Sequence, residues 1–200
     1  MWGRIFDAAV LAAYPLIVLV GLTWLDVRFT ALLLLLLLGR RAVAAVLGNR
    51  GASLILLVQV LGTGGLLAGA AISGSELFLR FTPFLISLLF LGQFAVSLGG
   101  TPIIERFARL KRPDLPPDHV SYCHGLTRIW LAVFLGNSAL VLTAAFVESK
   151  ALWALLVGPV SYCYLGVFIA GEYVFRKRRF QEFDPKSPVD RLLRPLVGRP

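Results

Sequence analysis

Residues 126–147, LTRIWLAVFLGNSALVLTAAFV, and 151–173, ALWALLVGPVSYCYLGVFIAGEY, are two apolar stretches with only Glu148, Ser149 and Lys150 between them. Each is long enough, at about 1.5 Å of rise per residue, to cross a hydrocarbon core of about 30 Å. So short a connection permits only an antiparallel return, and the pair predicts a membrane hairpin. With Ser149 as its centre, Asn137 and Ser161 lie twelve residues before and after it, so Asn137 can bond to Ser161, to Tyr162 or to the Leu155 carbonyl that Pro159 releases. Arg128 and Glu172 fall near the far ends of the two helices, where they can form a boundary ion pair or an anion site.

The rest of the chain has the same character. Its 200 residues are 58% hydrophobic and their mean hydropathy is +0.79, too apolar for an ordinary soluble domain. The expectation is an all-α polytopic membrane protein with about six transmembrane helices, at 8–25, 27–40, 52–72, 81–98, 126–147 and 151–173. The first run exceeds a signal-peptide core, and Thr23-Trp24-Leu25-Asp26 is a poor cleavage site, so it is expected to be an uncleaved anchor. The second is short and flanked by Arg28, Arg40 and Arg41, which would have to snorkel, with 42–47 lying along the interface. Gly65-Leu66-Leu67-Ala68-Gly69 has the GxxxG spacing that lets helix backbones approach.

Between the fourth and fifth runs, 99–125 forms a loop with an interfacial helix. There Ile103, Ile104, Phe107 and Leu110 alternate with Glu105, Arg106, Arg109, Lys111 and Arg112, a headgroup-region pattern. Pro113, Pro116 and Pro117 end that helix, and Asp118 is the expected N-cap of the next. Residues 176–200 form a basic tail headed by Arg176, Lys177, Arg178 and Arg179, with Phe180, Phe183 and 188–197 able to rest on the membrane.

The net charge is +9. Six spans put all but Arg28, Arg80 and Lys150 of the 20 Lys and Arg residues on one side, so the positive-inside rule makes both termini cytoplasmic. The cations flank apolar runs, which favours anionic lipid headgroups over nucleic acid. Arg106, Arg109, Lys111, Arg112 and Arg176–Arg179 are the expected contacts to lipid or to an acidic partner.

Intramembrane polar groups are candidates for function. His124, Arg128, Trp130, Asn137, Tyr162 and Glu172 are the ones in this chain. Cys123, Thr127, Trp130, Phe134, Asn137 and Val141 recur at alternating four and three residues and mark the buried face of one helix. His124 shares the side of Arg128, but no carboxylate at a local spacing would orient it as a base. Cys123 and Cys163 should remain thiols, and the two Cys and two His form no metal motif. No nucleophile elbow, phosphate-binding loop or acidic metal run occurs, so no catalytic residue, cofactor or metal is expected.

Residues 102–110, PIIERFARL, the segment Pro113-Asp114-Leu115-Pro116-Pro117, then Tyr122, Leu126-Thr127, Trp130, Phe134, Asn137, Trp153-Ala154-Leu155 and Gly171-Glu172-Tyr173 resemble an uncharacterised family of bacterial inner-membrane proteins. Genes of that family accompany aryl-polyene and xanthomonadin-type pigment synthesis by enzymes like those of type II fatty-acid synthesis. The resemblance covers the second half best. It implies the bacterial inner membrane and an accessory or scaffold role in lipid or pigment assembly, beside an acyl carrier protein or other biosynthetic enzymes. Two other readings are a small transporter or flippase with a site near Asn137 and Tyr162, and a membrane enzyme acting on a lipid or acyl substrate at the cytoplasmic boundary.

Overall fold

A backbone running through apolar sequence has no water to bond to, so it must satisfy its own polar groups, and helices do this within one segment. The computed structural model describes residues 2–48, 54–181 and 189–190, and no strand occurs among them. The helices are α1 (Trp2–Trp24), α2 (Val27–Gly48), α3 (Leu54–Ser73), α4 (Glu76–Ser97), α5 (Ile103–Lys111), α6 (Pro117–Ala145), α7 (Lys150–Leu155) and α8 (Ser161–Phe180). A π-helical turn, Leu156–Val160, joins α7 to α8. Among the described residues, Glu76–Ser97, Pro117–Ala145 and Lys150–Phe180 are long and apolar enough to cross a membrane. Ala13–Trp24, Val27–Leu37 and Leu57–Ser73 are shorter apolar segments.

Several boundaries differ from the sequence reading. No break separates a short second span from an interfacial segment: α2 runs unbroken through Arg40 and Arg41. The helix of the fifth span starts at Pro117, two residues before the start that an Asp118 N-cap would set, so the end of the expected loop is a helical projection of α6. Its N-cap is Pro116, with Pro117 and Asp118 in the first turn. Proline suits that position because its missing N–H would have had no partner there. The basic cluster Arg176–Arg179 lies on the last turns of α8 instead of following it. Phe183 and 191–197 of the expected surface segment lie outside the described residues.

The chain divides into two compact units, Met1–Ser161 and Tyr162–Pro200. In the first, each helix packs on the next in a ring: α1 on α2, α2 on α3, α3 on α4, α4 on α6, and α6 on α7 and the π turn, which return to α1. The ring is filled by Tyr14, Val18, Leu34, Leu67, Leu79, Val141, Trp153 and Val157. The surface carries large apolar side chains such as Leu16, Leu36, Leu61 and Val96, as expected where the solvent is lipid.

Prolines shape this packing. Pro83 lacks the N–H that would bond the carbonyl of Leu79 one turn earlier. Tyr14 Oη donates to that carbonyl at 2.9 Å from across the ring, fully buried. Pro159 sits in the π turn, where the helix widens around it. Beside it, Gly158 leaves room for the Pro15 ring of α1, which lies 3.5 Å from where a Cβ would stand.

The α3–α4 seam departs from the GxxxG expectation. Gly65 faces open space, whereas a Cβ on Gly62 would meet Leu85 at 2.8 Å and one on Gly69 would meet Phe78 at 3.2 Å. Each pair is seven residues apart on its own helix, so both close approaches fall on one face.

At one end of the ring Arg80, almost buried, donates to the carbonyls of Val147 and Glu148 beyond the end of α6 and to Glu76 at 3.2 Å. Lys150 bonds Glu76 at 2.5 Å and donates to the Leu22 carbonyl at 3.1 Å. Cations at helix C-termini offset the partial negative charge of the last carbonyls.

In the second unit Lys177 Nζ lies 2.6 Å from the Asp190 carboxylate, and both side chains are buried. Tyr173 Oη donates to the same carboxylate.

Candidate functional site

The buried face expected on α6 lies against α4. Cys123, Thr127, Asn137 and Val141 are buried. Trp130 and Phe134 are half-buried and form an aromatic cluster with Phe90 and Phe94. Phe134 stacks on Phe90 with centroids 5.5 Å apart, within the range where such pairs add to burial. Trp130 is therefore a packing residue of the α4–α6 seam.

Asn137 is the centre of a closed polar knot. Its Oδ1 accepts from Ser161 Oγ at 2.6 Å, and its Nδ2 donates to Ser87 Oγ at 3.1 Å. Ser87 Oγ also shares a hydrogen bond of 2.9 Å with Ser138 Oγ. The hairpin count placed Asn137 and Ser161 at one level, and they meet. Ser87 and Ser138 had no such signal, because their pairing depends on how α4 docks. The knot joins α4, α6 and the first residue of α8, and its members are spent on one another.

The second constellation lies where α5 packs on the projecting start of α6. Glu105 is the lone acid of a basic helix and is 5% exposed. One oxygen meets Arg109 at 2.8 Å; the other meets His124 Nε2 at 3.5 Å. A carboxylate thus does lie beside His124, contributed by another helix and invisible to a search for local spacing. A lone acid among four cations was the available signal. Arg109 also donates to the Pro113 carbonyl at 2.9 Å, and Ser97 Oγ accepts from the first amide of α5, Ile103 N–H, at 3.2 Å. These bonds fix α5 in place, leaving Phe107 and Leu110 61% and 80% exposed.

The expected basic contacts fall into two groups. Arg106, which donates to the Thr101 carbonyl at 2.8 Å, Arg112 and Arg178 are exposed. Arg179 is exposed beside the Phe180 ring. Lys177 is buried against Asp190, so it is not a surface contact. Arg176 pairs with Glu172 at 3.0 Å within α8, while the expected partnership of Glu172 with Arg128 would join the two units. The side chain of Lys111 lies outside the description. Tyr162 is exposed at the start of the second unit, and so is Arg128 on the outward face of α6.

Among the described residues no group of three or more His, Cys, Asp or Glu side chains is placed to hold a metal. The chain matches no protein-family model, and no curated protein or solved structure shows significant similarity to it.

Proposed function

We propose that the chain is a bacterial inner-membrane protein that crosses the bilayer six times with both termini in the cytoplasm, and that it serves as an accessory or scaffold component of membrane-associated lipid or aryl-polyene assembly. The observation that carries the scaffold role is the division of its polar groups. Inside the ring, Ser87, Asn137, Ser138 and Ser161 satisfy one another, whereas Arg106, Arg112, Arg178 and Arg179 face outward. A knot closed on itself argues against a substrate path at Asn137, and exposed cations suit anionic lipid and an acidic carrier protein. The pathway comes from the resemblance of the second half of the chain.

The test is crosslinking of an acyl carrier protein in native membranes at low and high salt. Neutralising Arg106, Arg112, Arg178 and Arg179 should lower recovery of the partner, and so should high salt. Unchanged recovery, with orientation preserved, would leave lipid contact alone.

The His124–Glu105 pair favours one second reading, an enzyme acting at the membrane boundary. It requires turnover by purified protein that is lost in His124→Ala.

A further inference from the structure

We propose that α6, where α5 packs on it, binds an anionic phospholipid, with Arg128 holding the phosphate and Ile129 and Leu135 lying along the acyl chains. This rests on the membrane placement proposed above.

Arg128 is exposed on α6, and among the described residues of its own unit no hydrogen bond or ion pair reaches it. A guanidinium stays charged at any physiological pH, so in lipid it requires an anion. Its neighbours on the outward face, Ile129 and Leu135, are exposed and apolar. Gly125, one turn before it, has nothing within 4 Å of where a Cβ would stand, which leaves open surface for a headgroup.

His124, on the adjacent turn, lies 3.5 Å from Glu105, and that same carboxylate holds Arg109. Glu105 is thereby consumed inside the protein, and the cations Arg106 and Arg112 keep the junction positive. The nearby acids Asp114 and Asp118 lie toward the far end of α6, Asp118 roughly 15 Å along the axis from Arg128. An exposed arginine followed along its own helix by exposed apolar side chains matches the two parts of an anionic lipid: the phosphate, for which the guanidinium fork is suited, and the chains. A free phosphate would use only the first.

The experiment is native mass spectrometry of delipidated protein titrated with phosphatidylglycerol or phosphatidylcholine in detergent. Wild type should retain phosphatidylglycerol preferentially. Arg128→Gln should weaken that retention about tenfold, Arg128→Lys less, and Ile129→Ser/Leu135→Ser should also weaken it, while phosphatidylcholine binding stays low and equal throughout. Glycerol phosphate in excess should not displace the lipid. Equal retention of phosphatidylglycerol by wild type and Arg128→Gln would overturn the site, as would its displacement by glycerol phosphate. Failure of the membrane placement would show separately, as reporter fusions that disagree with six spans while the lipid preference persists.

Discussion

Tyr14 and Pro83 show how a cost at one residue is met by another far away in sequence. Removing the tyrosine hydroxyl leaves the Leu79 carbonyl buried without its donor, a loss of about 1–3 kcal/mol. In a Pro83→Ala background the restored backbone N–H can take that carbonyl, so Tyr14→Phe should cost little there. A double-mutant cycle read by detergent unfolding checks this; an equal cost in both backgrounds would mean that Tyr14 does not serve the proline. At this scale the sequence was legible where chain connectivity did the positioning. Asn137 and Ser161 could be brought to one level by counting from Ser149, because a tight hairpin fixes register, though Tyr162 and the Leu155 carbonyl stood at that level too. The partners of His124 and Tyr14 could not be read, because Glu105 and Leu79 reach them through helix docking that no local spacing encodes.

At the scale of the helix, the α3–α4 seam shows why a spacing motif is an incomplete guide. Glycines four apart share a general side of a helix, but which of them meets a neighbour depends on how that neighbour is turned. Gly62 and Gly69 face Leu85 and Phe78, whereas Gly65 points away. Gly62→Leu or Gly69→Leu should destabilise the protein by about 1–3 kcal/mol through overpacking, while Gly65→Leu should shift stability by no more than about 0.5 kcal/mol. Thermal unfolding of the three variants in one detergent compares them, and an equal loss at Gly65 would restore the GxxxG reading. Helix existence was largely legible, since apolar runs of this length leave the backbone no other option. Helix ends were not. The run of leucines in α2 continues through Arg40 and Arg41 without a break, because arginine is a good helix former and the backbone does not register where the apolar sequence stops.

The whole molecule raises the question of why so few cations sit at one end of the ring. Lys150 reaches the Leu22 carbonyl and Glu76, and Arg80 reaches the Val147 carbonyl, so the turns at 24–27, 73–76 and 145–150 share that end. Arg28 lies beside Gly74 in the same region. These are the three cations that the six-span arrangement leaves outside. Two of them cap helix C-termini and pair with Glu76, which gives them a structural reason to be there. Their presence therefore weighs little against the positive-inside rule, which responds to the cations that six spans would place on the opposite side. Two outcomes follow. Neutralising Arg80 should lower stability, since it leaves the Val147 carbonyl and Glu76 short of a partner, yet leave orientation unchanged. Reporter fusions after Lys111 and after Arg179 should report cytoplasm, and one at Lys150 the opposite side. A cytoplasmic Lys150 together with a Lys111 fusion on the opposite side would mean, for a cytoplasmic N-terminus, that one of the shorter apolar segments in α1, α2 or α3 does not cross. The ring order would then have to be held by helices lying in the interface, with Leu16, Leu36 and Leu61 exposed to water or headgroups instead of acyl chains.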